Sequence, residues 1–211
     1  MPDYSDLIQA IVEGNDAKCK ELTIKALNDG ASPQDIASSG FQAGMLIVGN
    51  KFSAGDFFIP EMLLAARSVA RAMEAIRPHL ADSEMPNLGR VVIGTVFGDI
   101  HDIGKNLVTM FLRSAGFEIF DLGTNIPVDR FVTAVKEHDP DIVGMSALIT
   151  TTMPNMQYVI ATLDSTALLS QVKVIVGGAP VTQRFADQIG ADGYAPDGGA
   201  AIRLCQKLLE E

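Results

Sequence analysis

Apolar positions follow two different rhythms along the chain, and the change falls close to residue 90. Before it, the spacing is helical throughout. Leu7, Ile8 and Ile11 form one short amphipathic run, Gly14-Asn15-Asp16 interrupts it, and Leu22, Ile24 and Leu27 form a second that Asn28-Asp29-Gly30 closes. A third helix has a well-marked start. Ser32 can cap it, Pro33 suits the first helical position because its missing N–H would be unpaired there, and Asp35 favours the positive end of the helix dipole. This helix is expected to run through Phe41, Met45 and Val48 to about Asn50. A fourth, Ile59 to about Ile76, is rich in Ala, Met, Leu and Arg, and Pro78 ends it.

From Arg90 onward, short β-branched runs alternate with amphipathic segments. Strands are expected at Val91 to Val96, Glu118 to Asp121, Ile142 to Ser146, Val174 to Val176 and Gly193-Tyr194. Helices are expected after each, at Gly104 to Ala115, Val128 to His138, Pro154 to Leu168, Thr182 to Ile189 and Gly199 to Leu209. This alternation predicts an α/β domain, an open parallel sheet with helices on both faces. Ligands on such sheets bind at the carboxyl ends of the strands, near the switch in strand order. The stretch Ala81 to Gly89, with its Asp, Ser, Pro, Asn and Gly, reads as a domain boundary. The expected division is a helical domain over 1–85 and an α/β domain over 86–211.

Composition narrows the function classes. Apolar residues are 47% of the chain, enough for one large core or two modest ones. No run approaches the roughly 20 apolar residues that a bilayer span requires. The first helix-like stretch carries Asp3 and Asp6 where a signal peptide would be basic, so a cytoplasmic protein without membrane attachment is expected. Residues 1–85 hold 7 basic and 12 acidic side chains and residues 86–211 hold 9 and 14, so each half is net −5 and the chain −10. Phosphate backbones are bound through Lys and Arg, so this balance argues against nucleic acid as a partner. Cys19 and Cys205 sit in ordinary helical patterns at opposite ends, which excludes a disulfide framework or a CxxC redox site by count.

The chemistry is concentrated after the first strand, in Gly98-Asp-Ile-His-Asp-Ile-Gly104-Lys105-Asn106. A phosphate-binding loop fails twice: five residues rather than four separate Gly98 from Gly104, and Asn106 stands where Ser or Thr is needed. The GxGxxG dinucleotide fingerprint is absent from this turn as well. What remains is Asp99-x-His101-x-x-Gly104. A His with an Asp two residues earlier can give one ring N–H to the carboxylate while the other nitrogen binds a metal; it can equally be a loop histidine bonded to a neighbour. His79, His101 and His138 are the only histidines and the cysteines are far apart, so no conventional zinc set is visible. If His101 holds a metal, a cofactor supplies the other ligands. Ser146-Ala147-Leu148 ends the third strand and Gly177-Gly178 the fourth, which with the first loop places polar or glycine positions at the ends of three strands. In the helical part, Phe57 and Phe58 read by themselves as core packing, and Met45, Met62 and Met73 as packing filler.

The combination Asp99-x-His101-x-x-Gly104, Ser146-x-Leu148 and Gly177-Gly178 resembles the signature of cobalamin-binding domains of the methionine synthase and corrinoid methyl-carrier type. With a helical domain containing Phe57-Phe58-Ile59-Pro60-Glu61 in front, the chain resembles the stand-alone corrinoid proteins of methyltransferase systems over nearly its whole length. The resemblance implies a four-helix cap followed by a flavodoxin-like (Rossmann-type) doubly wound sheet of five parallel strands.

It also implies roles for individual residues. His101 would be the lower axial ligand of cobalt in a cobalamin or related corrinoid, replacing the cofactor's own base, with Asp99 bonded to its other ring nitrogen. Gly104 would leave room for the displaced nucleotide tail, Ser146 would hydrogen-bond the tail's base, Leu148 would line its channel, and Gly177 and Gly178 would let the backbone pass close to it. Thr152 would support the Asp99 carboxylate, and Phe58 would cover the upper face of the cofactor. No residue of the chain is expected to act as acid, base or nucleophile, so the protein would not be a catalyst alone. Ligation and protonation of the Asp-His pair would be linked as cobalt cycles between oxidation states. The implied partners are a substrate-specific corrinoid methyltransferase, a second methyltransferase with a folate or thiol acceptor, and a reductive activating protein for Co(II). The competing readings are a cobalamin-dependent sensor or regulator, disfavoured by the lack of a basic DNA-binding module; the cobalamin module of a mutase, disfavoured by the missing substrate barrel; and a flavodoxin-like domain that binds no corrinoid.

Overall fold

In a computed structural model of the chain, residues 3–79 and 88–210 are described. The chain divides into two compact units, residues 1–88 with Arg113–Gly116, and the rest of 89–211. Of the expected boundary segment, Ala81 to Gly89, residues 81–87 lie outside the described residues, and so does the division at 85/86.

The first unit is helical. α1 (Ser5–Val12) and α2 (Asp16–Asn28) follow the sequence reading, and Asn15 caps α2 by accepting from the Lys18 N–H at 3.1 Å. α3 (Pro33–Asp35) starts at the Ser32 cap, whose hydroxyl accepts from the Asp35 N–H at 3.0 Å. It continues into a π-helical stretch, Ile36–Gln42, and then α4 (Ala43–Ser53). The sequence reading expected a plain α-helix ending near Asn50; the widened turns are the difference. They coincide with a close approach to α1: a Cβ at Gly40 would lie 2.9 Å from Leu7 Cδ2, and one at Gly44 2.9 Å from Ile11 Cδ1. α5 (Ile59–Ile76) ends in a 3-10 turn, Arg77–His79, at the proline. Ile11, Phe41, Met45, Met62 and Ile76 are buried, so two of the three methionines are core filler as expected; Met73 is half-buried.

The second unit is an α/β domain. Its strands are β1 (Arg90–Thr95), β2 (Glu118–Asp121), β3 (Ile142–Ser146), β4 (Lys173–Gly177) and β5 (Gly193–Tyr194), all parallel, in the order β2-β1-β3-β4-β5. This is the flavodoxin-like order, with its switch point between β1 and β3. The helices are α6 (Ile103–Ser114), α7 (Val128–His138), α8 (Pro154–Ser165), α9 (Gln183–Ile189) and α10 (Gly198–Glu210). Central strands read as continuous apolar runs because both faces are covered, and Val92, Val143 and Val174 are fully buried.

Several boundaries moved by one to three residues. Val96 leaves the ladder and bridges to Ile126 instead. α8 stops at Ser165, three residues early, because Ser165 and Thr166 hydroxyls bond back to the Thr162 carbonyl and Ala167 turns left-handed, with φ 58°. A short 3-10 turn, Leu169–Gln171, follows.

Candidate functional site

Register brings the signature segments to one level of the sheet. Thr95 pairs with Ser146 and Ser146 with Gly177, so three adjacent strands end together at the carboxyl edge. The loop after β1 carries Asp99 and His101 there.

The Asp99 side chain is 0% exposed, and the loop folds around it. Its Oδ1 accepts from the His101 backbone N–H at 3.0 Å and faces His101 Nδ1 at 2.7 Å. Its Oδ2 accepts from the Leu148 N–H at 2.7 Å, the Ile149 N–H at 3.4 Å and the Thr152 hydroxyl at 2.9 Å. Burial by itself pushes the carboxyl's pKa up, but the bonds from Leu148, His101 and Thr152 outweigh it and hold the group well below the usual carboxylate range. Asp99 is therefore a carboxylate, and His101 Nδ1 is the protonated ring nitrogen that faces it. Nε2 is left as the nitrogen with a lone pair for a ligand.

The surroundings of that imidazole are apolar and open. The His101 side chain is 49% exposed, and Phe97, Ile100, Ile103 and Leu148 are all exposed hydrophobics on the same loop ends. A soluble surface rarely spends that many large apolar groups in one place without a ligand or partner to cover them. Gly104, at the start of α6, faces open space, with nothing within 4 Å of where a Cβ would stand. Among the described residues no group of three or more His, Cys, Asp or Glu side chains could hold a metal ion. One protein ligand to a metal that brings its own donors fits this set; a protein-built metal cage does not.

The structure thus brings Asp99, His101, Leu148 and Thr152 into direct contact and sets Ser146, Gly177 and Gly104 beside them. Leu148 serves the site through its backbone N–H as well as its exposed side chain. At Gly177 a Cβ would stand 2.8 Å from the Ala195 carbonyl oxygen, and at Gly178, with φ 120°, it would run into the Ala147 carbonyl. Both glycines are thus required by the chain's own backbone at the strand ends. Phe58 belongs to the helical unit, at the N-cap of α5, where its N–H donates to Glu61 Oε2 at 3.0 Å. Its ring is 66% exposed, so it is no core residue; Phe57 is half-buried, with Lys51 Nζ 5.2 Å from its ring centre. His138 stacks on Phe120 at 4.1 Å, away from the chemistry.

Four supporting residues carried no signal strong enough to be singled out. Thr95 donates from its hydroxyl to the His101 carbonyl at 3.0 Å, from inside what reads as a plain strand. Asn125 in the β2–α7 loop and Asn155 in the first turn of α8 bond the backbone of 97–99. Asp121 receives the ammonium of Lys105.

Known proteins fit this geometry. Residues 89–203 match the family model described as the B12 binding domain, and residues 4–77 match a second model of the same description. The trimethylamine corrinoid protein of Methanosarcina barkeri is 42% identical over 203 residues, 95% of this chain and 94% of the relative. The chain belongs to the B12-binding corrinoid proteins. Among solved structures, a cobalamin-binding protein from Desulfitobacterium hafniense DCB-2 superposes with a TM-score of 0.87 at 32% identity, covering 99% of both chains. A chain of the methanol:cobalamin methyltransferase complex of Methanosarcina barkeri superposes with a TM-score of 0.82 at 27% identity, covering 97% of this chain and 78% of that one. As a corrinoid protein, the molecule takes cobalamin or a related corrinoid as its cofactor. No described helix is long and apolar enough to cross a membrane.

Proposed function

We propose that this corrinoid protein carries a methyl group from a substrate-specific corrinoid methyltransferase to a second methyltransferase with a folate or thiol acceptor, with His101 as the lower axial ligand of cobalt. The observation that carries the reading is the Asp99–His101 contact at 2.7 Å, with the imidazole half-exposed among uncovered apolar side chains. The bound corrinoid supplies the chemistry of accepting and releasing the methyl group. Everything else falls to the chain. Asp99 fixes the tautomer and raises the basicity of Nε2, and its own position is fixed by Leu148, Ile149 and Thr152. The same carboxylate would serve His101 whether Nε2 held a metal or a proton, because it accepts from the opposite ring nitrogen in either case.

Gly104 would leave room for a nucleotide tail, Ser146 at the end of β3 would hydrogen-bond its base, Leu148 would line its channel, and Gly177 and Gly178 would let the backbone pass close to it. Phe58 would be the aromatic cover for the cofactor, a role that its exposure in the helical unit supports. The relatives named for trimethylamine and methanol systems support the methyltransferase partnership, and a carrier of this kind also needs a reductive activating protein. We assign its place of work to the cytoplasm.

Reconstitution tests the reading. Purified protein mixed with hydroxocobalamin retains about one corrinoid, and after reduction to Co(II) its paramagnetic resonance spectrum shows splitting from one imidazole nitrogen. His101→Ala loses that splitting. A wild-type spectrum without an imidazole signature would overturn the axial role, and a methylated protein that gives its methyl group to no acceptor methyltransferase would overturn the carrier role.

A further inference from the structure

The loop that presents His101 is tied down by residues that touch neither the carboxylate nor the imidazole. Asn125, in the loop between β2 and α7, adopts φ 56°. Its Oδ1 accepts from the Gly98 N–H at 2.8 Å, and its own N–H donates to the Asp99 carbonyl at 2.8 Å. From the loop side of β3, Asn155 at the start of α8 donates from Nδ2 to the Phe97 carbonyl at 2.7 Å. The backbone of 97–99 is thus gripped from the loops of both strands that flank β1.

Two features separate this grip from ordinary loop packing. A left-handed residue is cheapest as glycine, since any Cβ is disfavoured there. Asn125 keeps that conformation and uses its amide oxygen on Gly98, which itself has φ 80°. The second feature is that β1 does not need these bonds for its own anchorage. Its pairing with β2 and β3 and the Val96–Ile126 bridge hold the strand without them. What they do hold is the main chain at Asp99, from which both the carboxylate and, two residues on, the ring of His101 take their positions. Leu148 and Thr152 hold the carboxylate only.

We propose that Asn125, seconded by Asn155, is a positioning residue that sets how well His101 is presented to cobalt. The inference rests on His101 being the axial ligand. Asn125→Gly keeps the left-handed conformation and the N–H bond to Asp99 and deletes the side chain with the amide oxygen that Gly98 uses, and Asn125→Asp retains an acceptor at the same place. Each variant is loaded with methylcobalamin, and the ratio of His-on to His-off forms is read from the visible spectrum, with the unloaded protein's melting temperature measured beside it.

Losing one backbone tie of this kind lowers the His-on to His-off ratio roughly 2- to 10-fold in Asn125→Gly, while Asn125→Asp stays within about 2-fold of wild type. Asn155→Ala shifts the ratio in the same direction as Asn125→Gly, and it carries the test if the glycine variant does not fold. A wild-type ratio in Asn125→Gly or Asn155→Ala, or an equal loss in Asn125→Asp, overturns the positioning role. A wild type without any His-on form overturns the ligand reading and this inference together, so the two failures are told apart.

Discussion

Lys105 Nζ lies 2.7 and 2.6 Å from the two oxygens of Asp121, with the lysine side chain 1% exposed and the aspartate 26%. The pair joins the first turn of α6 to the end of β2, and Asp121 Oδ1 also accepts the Gly123 N–H at 2.9 Å. The two partners are unequally buried, and that inequality fixes the outcome of breaking the pair. Asp121→Asn leaves a buried ammonium with neutral amide oxygens as acceptors, Asn106 Oδ1 at 2.8 Å among them, and without its carboxylate counter-charge. Lys105→Met leaves a carboxylate that water still reaches. We expect Asp121→Asn to cost about 3–5 kcal/mol and Lys105→Met less than that, about 1–2 kcal/mol, by urea denaturation of the unloaded protein. Equal losses would mean that the ammonium is better solvated than its burial indicates.

The Thr152 hydroxyl has two acceptors in reach, Asp99 Oδ2 and the Ile149 carbonyl, each at 2.9 Å, and one proton to give. Thr152→Val removes the donor beside a fully buried carboxylate and is expected to destabilise the fold by about 1.5–3 kcal/mol. Thr152→Ser keeps the hydroxyl and loses one methyl group, at about 0.8 kcal/mol. Thermal melts of both variants check the order, and the reverse order would mean that the hydroxyl serves Ile149 alone.

Two glycines of the signature separate under alanine substitution. Gly104→Ala meets open space inside a helix, so the unloaded protein folds at least as stably as wild type, gaining up to about 1 kcal/mol. If Gly104 gives the cofactor tail its entrance, the same variant retains less hydroxocobalamin on gel filtration. Gly178→Ala combines φ 120° with overlap on the Ala147 carbonyl, and it loses more than about 3 kcal/mol before any ligand is added.

Burial pushes the Cys205 thiol up to about 12 and the Cys19 thiol up to about 11. A raised folded-state pKa means that the proton is held more tightly in the folded chain. The stabilisation is complete below the ordinary thiol value of about 8.5 and is lost as pH climbs from there toward the folded values. Native protein is therefore inert to thiol reagents at pH 8, and its melting temperature falls between pH 9 and pH 11. Cys205→Ala should be less stable at neutral pH because of the cavity, yet show a shallower alkaline fall. An identical fall in that variant would assign the alkaline sensitivity to other groups.

The sequence by itself determined the order of elements, because each depends on local chemistry: the Ser32-Pro33 start, the β-branched runs at Val91 and Ile142, the proline after Ile76. It also determined the Asp99–His101 pair, since two residues of separation in a loop suffice for one side chain to reach the other. Local pattern did not show the π-helical turns at Ile36–Gln42, which answer to α1 packed against Gly40 and Gly44. Nor did it show that the Leu148 N–H closes on Asp99 from about fifty residues away, or that Asn125 and Asn155 grip the loop in front of it; the Thr152 contact was implied by the family resemblance and not by local pattern. Those contacts exist because β1, β2 and β3 are neighbours in register, and register is a property of the assembled sheet that local composition does not carry.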